Sequence, residues 1–448
     1  MKYFGTDGIR GIANKSLNAD FALKLGKALG VILEKKDNPK ILIGTDNRIS
    51  KDLIKYSIIS GLLSFNVNVV DCSVITTPAI SYLTKQNKFD MGIMISASHN
   101  SYEYNGIKIF NNMGEKIDNE LENKIEYLID NVNDYYPFNP FNIGKYEINN
   151  KIINKYINFL KKQIKFKNIN NKIIIDCSNG AGSEIIKLLF KKFKNVKIIN
   201  TSVDGKNINL NCGATNLKEM QNLVPNLNYN LGFSLDGDAD RLILTNNNGK
   251  TISGDEIIYI FAKYYKSIKK LKNNTIVNTI ISNYGLDLSL KKLNINTIRS
   301  DVGDKNVYQI LKKNKLVVGG EQSGHIILRD KTPCGDGILN IIMLLNILQL
   351  NNTTINEELI SYTNLFQTTN NIKLNNKELI TKILNNEIII KNLEDIENEL
   401  GENGRILIRK SGTEPVIRIL VESFDEKTSK DVCNKITNVL LKFINLLN

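Results

Sequence analysis

Apolar residues recur along this chain with two periods. Short β-branched runs read as buried strands: Lys40–Thr45, Asn66–Asp71, Met91–Ser96, Ile173–Cys177, Val196–Asn200, Leu231–Leu235 and Thr275–Thr279. Between them lie longer amphipathic segments. Phe21, Leu25, Ala28, Leu29, Ile32 and Leu33 fall on one face of a helix, and Asp52–Leu63 and Ser183–Phe193 read similarly. Strand–helix–strand alternation predicts βαβ units and mostly parallel sheets. The alternation is interrupted by the Pro- and Asn-bearing Tyr135–Gly144, the turn-rich Asn246–Gly254 and the polar Asn351–Asn371. The last segment differs, with strands at Arg405–Lys410 and Val416–Glu422 and a terminal helix at Ser429–Leu447. The expected fold class is α/β: three similar α/β domains with mixed sheets (residues 1–145, 146–249 and 250–365) and a smaller C-terminal α+β domain (366–448).

Composition narrows the function classes. The 448 residues fit about three domains by length, and 42% hydrophobic content suffices for packed cores. The chain lacks a continuous apolar stretch long enough for a transmembrane helix, and Met1–Gly11 has no apolar core of a secretory signal. Five scattered Cys, with no Cys-x-x-Cys, argue against a disulfide framework and for a cytoplasmic setting. With only two His, His99 and His325, a structural zinc site is not expected. The net charge of +13 raises the question of nucleic acid, but the Lys residues are dispersed among Ile and Asn. No nucleic-acid or membrane partner is expected, whereas an anionic small-molecule substrate is compatible with the charge.

Four stretches could carry chemistry. In Asp236-Gly237-Asp238-Ala239-Asp240-Arg241, three carboxylates alternate through a turn between two apolar strands. They can converge on one hard cation such as Mg²⁺ or Ca²⁺. An EF-hand is excluded, because Arg241 and Asn247 stand where its Gly and Glu belong. Ser98 and His99 follow the strand Met91–Ser96, at a carboxyl end where α/β sheets bind ligands; Ser98 is a candidate nucleophile or phosphate carrier. Lys108 lies downstream as a charged partner or base. In Gly319-Gly320-Glu321-Gln322-Ser323-Gly324-His325, Glu321, Ser323 and His325 offer groups suited to sugar hydroxyls. Arg409-Lys410-Ser411-Gly412-Thr413-Glu414-Pro415, followed by Arg418, suits a phosphate cradle, while Arg405 is expected at the surface. The opening Phe4-Gly5-Thr6-Asp7-Gly8-Ile9-Arg10-Gly11 adds a Gly-rich loop with one Arg. No Walker loop, dinucleotide fingerprint or Gly-x-Ser-x-Gly elbow is present.

Taken together, these motifs resemble the α-D-phosphohexomutase superfamily, from Tyr3 to about Glu422 and in the same order. Tyr3–Gly11, Asp204–Asn209 and Cys212–Thr215 are similar to its branch acting on glucosamine phosphates. The resemblance implies four domains around a central cleft, each contributing one loop. It implies that Ser98 carries phosphate and that Asp236, Asp238 and Asp240 hold one Mg²⁺, with a Ser98 phosphate oxygen as a further ligand. It places His99 and Arg241 beside that phosphate, Arg10 and Lys108 in charge stabilisation or proton transfer, and His325 near the reacting hydroxyl. Glu321 and Ser323 would read sugar hydroxyls, and Arg409, Ser411, Gly412, Thr413 and Arg418 would hold the non-reacting phosphate.

The implied activity is an intramolecular phosphotransferase interconverting glucosamine 6-phosphate and glucosamine 1-phosphate. Glucosamine 1,6-bisphosphate would be its intermediate and activator, and its product would feed amino-sugar nucleotide and peptidoglycan synthesis. The protein would work on a phosphosugar as a monomer or homodimer. Mannose or glucose phosphates are the alternative substrates. The chain departs from the usual pattern at Ser101, at Lys305-Asn306 and at Ser73–Pro78, and none of these removes an implied catalytic group.

Overall fold

The computed structural model describes residues 2–132, 135, 141–374, 376–410 and 415–447. Two compact units form: Met1–Thr279 with Ile298–Ile360, and Ile280–Thr297 with Ser361–Asn448.

The apolar runs of the first unit build three sheets. A seven-stranded sheet has the order Phe4–Gly5, Gly8–Ile12, Tyr104–Asn111, Met91–Ile95, Lys40–Thr45, Asn68–Val74, Tyr146–Ile148. Its central strand Met91–Ile95 is buried along its whole length, as expected for a sheet covered on both faces. Helices Ala19–Leu33 and Lys51–Leu63 bury Leu25, Leu29, Ile54 and Ile58 in the same core. The first begins where the Asn18 side chain accepts the Phe21 N–H. A five-stranded sheet follows, in the order Thr251–Ile252, Leu242–Asn246, Leu231–Leu235, Ile173–Asp176, Val196–Ile199. The third sheet has Thr275–Thr279, Val318–Gly320 and Ile326–Leu328, with Asn296–Ser300 at its edge.

These sheets are mixed, as the fold class expects, although strand–helix alternation by itself points to mostly parallel pairing. Met91–Ile95, Leu231–Leu235 and Val318–Gly320 each run parallel to one neighbour. Each is then followed in sequence by an antiparallel return strand: Tyr104–Asn111, Leu242–Asn246 and Ile326–Leu328. A buried apolar run looks alike in either direction, so the apolar pattern does not reveal the return. Three times, then, a loop leaves the carboxyl end of a parallel strand and comes back as a hairpin.

The second unit has a three-stranded antiparallel sheet in the order Phe366–Lys373, Val416–Ser423, Gly404–Lys410. Ile417, Ile419 and Val421 pack on Ile436 and Leu440 of the helix Glu426–Leu447. Phe366–Lys373 falls partly in a stretch too polar to read as a strand. Its Thr368 and Asn370 reach hydroxyls of Ser429 and Thr437 at 2.8 and 3.0 Å, so polar contacts dock this strand on the helix. The helix Tyr284–Lys292 belongs to this unit, with the Tyr284 N–H on Glu422 at 3.0 Å. Arg405, expected at the surface, pairs with buried Glu422 through Nε at 2.6 Å and donates to the Ser282 carbonyl. Residues 136–140 of Tyr135–Gly144 lie outside the described residues. Among the described residues no helix is long and apolar enough to cross a membrane, and all five cysteines are free and buried.

Candidate active site

The three hairpin loops of the first unit come together. Ser98 follows the strand Met91–Ile95 and is fully buried with φ +52°. This left-handed conformation costs a non-glycine residue about 1–3 kcal/mol, so the surroundings must hold it. It directs Oγ to Asp236 Oδ2 at 2.5 Å, and His99 Nδ1 lies 3.4 Å from the same oxygen. Gly237 allows the approach: a Cβ there would lie 2.8 Å from the Ser98 carbonyl oxygen.

Asp236, Asp238 and Asp240 are buried, with ligand oxygens within 4.8 Å of one another. Lys108, itself buried, donates to Asp238 Oδ2 at 2.9 Å and Asp240 Oδ2 at 2.8 Å. Thr77 Oγ1 donates to Asp238 as well, and the Arg241 N–H donates to Asp236 Oδ1 at 3.1 Å. Burial and then the two neighbouring carboxylates push the Asp236 carboxyl well above its ordinary range. Burial would also raise Asp240, but Lys108 and His325 hold it well below. Burial disfavours a charged Lys108, yet Asp238, Asp240 and Asp7 drive its pKa well up. Besides the Lys108 ammonium, His325 Nδ1 lies 3.6 Å from Asp240 Oδ1. Asp238 Oδ1 and Asp240 Oδ1 are buried without a hydrogen-bond partner among the described residues. Hard oxygen donors, their convergence and the two carboxylate oxygens left without a hydrogen bond suit a divalent cation such as Mg²⁺.

Behind the triad runs a chain of alternating charges. Asp7 contacts Arg10 at 2.5 Å, Lys108 at 3.2 Å and Lys116. Lys116 also contacts Asp304 Oδ2 at 2.6 Å, and Asp304 lies 3.1 Å from His325 Nε2. The Gly335 N–H faces the same Nε2 at 3.1 Å, and both groups cannot donate along one line. Burial alone would lower the His325 pKa, but Asp304 and then Asp240 raise it to about 10, which makes Asp304 the partner of a protonated ring. His99 lies at the opposite extreme. Burial, Arg241 and Arg10 lower it to about 4, and its ring is neutral. Glu321 is buried, accepts the Gly303 N–H at 2.9 Å and is raised by desolvation; Ser323 is exposed.

In the second unit, Arg409 and Arg418 stand directly opposite each other on adjacent strands, both half-buried. Ser411, Gly412 and Thr413 lie outside the described residues.

Comparison with known proteins decides the family. The chain matches the phosphoglucomutase/phosphomannomutase family at residues 1–136 (alpha/beta/alpha domain I), 154–249 (domain II), 253–365 (domain III) and 370–439 (C-terminal domain). A phosphoglucosamine mutase of Clostridium botulinum is 43% identical over 432 residues, covering 95% of this chain and 96% of that one. The chain belongs to the phosphoglucosamine mutase family. Solved structures agree on the fold. A phosphoglucomutase/phosphomannomutase family protein from Burkholderia thailandensis superposes with TM-score 0.82 at 22% identity, covering 96% of this chain and 95% of that one. Aspergillus fumigatus N-acetylphosphoglucosamine mutase in complex with GlcNAc-6P and magnesium superposes with TM-score 0.68 at 17% identity, covering 98% and 95%.

In this member of the phosphoglucosamine mutase family, the structure brings Ser98, His99, Lys108, Arg10, Arg241, Asp236, Asp238, Asp240, Glu321 and His325 into one unit. Sequence reasoning passed over Asp7, Thr77, Lys116 and Asp304. Asp7 and Thr77 lie within the motifs Phe4–Gly11 and Ser73–Pro78, where nothing local marks them as partners of the triad. Lys116 and Asp304 are 188 residues apart, and only folding pairs them. Asp46 and Arg48 were also missed, although an acid and an Arg directly after the apolar strand Lys40–Thr45 stand where α/β sheets place functional groups.

Proposed function

We propose that this phosphomutase interconverts glucosamine 6-phosphate and glucosamine 1-phosphate through a phosphoserine at Ser98. The observation that carries the reading is Ser98 Oγ, 2.5 Å from Asp236 within a buried triad of aspartates. Phosphoryl transfer needs in-line positioning and charge neutralisation more than covalent help. Mg²⁺ held by Asp236, Asp238 and Asp240 would withdraw charge from the transferring phosphoryl group.

The chain's own groups do the rest. Phospho-Ser98 gives its phosphoryl group to the 1-hydroxyl of glucosamine 6-phosphate: the Ser98 Oγ–P bond breaks, an O1–P bond forms, and the proton leaving O1 balances the one taken up by Ser98 Oγ. Ser98 Oγ is left as a hydroxyl beside Asp236. Lys108, Arg10 and Arg241 offset the negative charge as it moves, and Asp7 keeps Arg10 and Lys108 in place. Protonated His325, oriented by Asp304, faces the reacting hydroxyl, while neutral His99 lies beside the Ser98 phosphate. Glu321 and Ser323 bind sugar hydroxyls. Glucosamine 1,6-bisphosphate then turns end for end and returns its 6-phosphoryl group to Ser98. Arg409, Ser411, Gly412, Thr413 and Arg418 hold whichever phosphate is not reacting; the facing of Arg409 and Arg418 across two strands supports this.

The domains responsible are residues 1–145, 146–249, 250–365 and 366–448, one for each loop. Five free buried cysteines support a cytoplasmic site of action. The experiment is a substrate panel with Mg²⁺ and a trace of bisphosphate. The highest kcat/KM is expected on glucosamine phosphates; equal or better turnover of glucose or mannose phosphates would replace the substrate assignment.

A further inference from the structure

Arg48 plays no part in the chemistry above, yet it is one of the largest fully buried side chains. A guanidinium out of water must have its donors matched. Here Nε donates to Asp46 Oδ2 at 2.9 Å. Nη1 donates to the carbonyls of Tyr104, at 3.0 Å, and of Ser101. Nη2 donates to those of Ser98 at 3.1 Å and Asn100 at 2.8 Å. One carboxylate balances the charge; three of the four carbonyls belong to the loop that carries Ser98, and the fourth, of Tyr104, opens its return strand.

The carboxylate completes the grip. Asp46 Oδ2 accepts the Ser96 hydroxyl at 2.7 Å, and Ser96 Oγ accepts the Ser98 N–H at 2.9 Å. Asp46 and Arg48 thereby fix both the N–H and the C=O of Ser98. From the turn region that follows the strand Val196–Ile199, Asn209 Nδ2 donates to the same two carbonyls, Ser98 at 2.9 Å and Asn100 at 3.1 Å. Ser98 is the residue held at φ +52°, a conformation a serine does not keep unaided.

We infer that Arg48, with Asn209 opposite it, is a positioning residue for the phosphoserine, holding the Ser98 backbone in the left-handed conformation that aims Oγ at Asp236. This rests on the reading of Ser98 as the phosphoryl carrier. The planar fork is essential, because an ammonium keeps the charge beside Asp46 but cannot span four carbonyls.

Arg48→Lys tests it. With the loop released, kcat should fall about 100-fold, the scale of a misplacement near 1 Å. The KM for glucosamine 6-phosphate should stay within about threefold, because the groups assigned to bind it lie on other loops. Asn209→Ala should lower kcat by about tenfold in the same pattern. Hydrogen–deuterium exchange should show faster exchange at Ser98–Asn105 in both variants and little change in the helix Ala19–Leu33. Wild-type kcat in Arg48→Lys, or loop amides exchanging as in wild type, would overturn the inference. If Arg48→Lys does not fold, half-buried Asn209→Ala carries the test with the same two readouts. A wild-type enzyme inactive on every phosphosugar would instead sink the proposed function, and the exchange comparison would still decide whether Arg48 holds the loop.

Discussion

The Asp236–Asp240 turn and the Arg409/Arg418 strand pair concentrate opposite charges in opposite settings. The three Asp are each no more than 1% exposed and enmeshed with Lys108, Thr77, Ser98 and Arg241. The two Arg are half-buried on an antiparallel sheet, within reach of water. Dry, fixed charge suits a transition state that must be met without reorganisation. Charge in contact with water suits a ligand that must be caught, released and caught again by its other end. The first setting should therefore govern kcat and stability, and the second KM.

Substitutions can break this division. Ser98→Ala should lower kcat below about one thousandth of wild type while the thermal transition stays in place, because only one hydroxyl is lost. Peptide mass spectrometry should show no phosphate on that peptide. Lys108→Met strips the triad of its one ammonium. An uncompensated buried charge costs about 3–5 kcal/mol, so thermal melting should show a large loss of stability together with the loss of turnover. Chelation should abolish activity, and added Mg²⁺ should restore it, with little change in far-UV circular dichroism. Arg418→Gln should raise KM about 10- to 100-fold, the range for a charged hydrogen bond, and leave kcat and melting nearly unchanged. The smallest effect belongs to Lys305, whose Nζ meets Glu122 Oε2 at 2.7 Å. Lys305→Arg keeps that pair and should change kcat/KM by no more than about threefold.

The same contrast shows what the sequence makes legible. The Asp-x-Asp-x-Asp turn is local, so spacing alone announces it. Ser98 is placed by the apolar strand before it, and the recurring strand signals point to α/β layers. What escapes is non-local or direction-dependent. Asp7, Lys116, Asp304 and His325 form one chain of charges only after distant segments pack together. Arg48 looks like a surface residue until the loop around Ser98 wraps its carbonyls over it. Arg405 is drawn from the surface because register sets it opposite Glu422. The polar strand Phe366–Lys373 is hidden for a similar reason, since its neighbours, not its own apolar residues, define it.

The central claim is that Ser98 carries the phosphoryl group which moves to the sugar. The direct measurement is a single turnover. Enzyme phosphorylated at Ser98 is mixed with one equivalent of glucosamine 6-phosphate and Mg²⁺, quenched, and followed by peptide mass spectrometry alongside sugar-phosphate analysis. The Ser98 peptide is expected to lose phosphate as glucosamine 1,6-bisphosphate appears, in equal amounts and no more slowly than kcat. Turnover with that phosphate unmoved, or with the exchanging phosphate on another residue, would contradict the account.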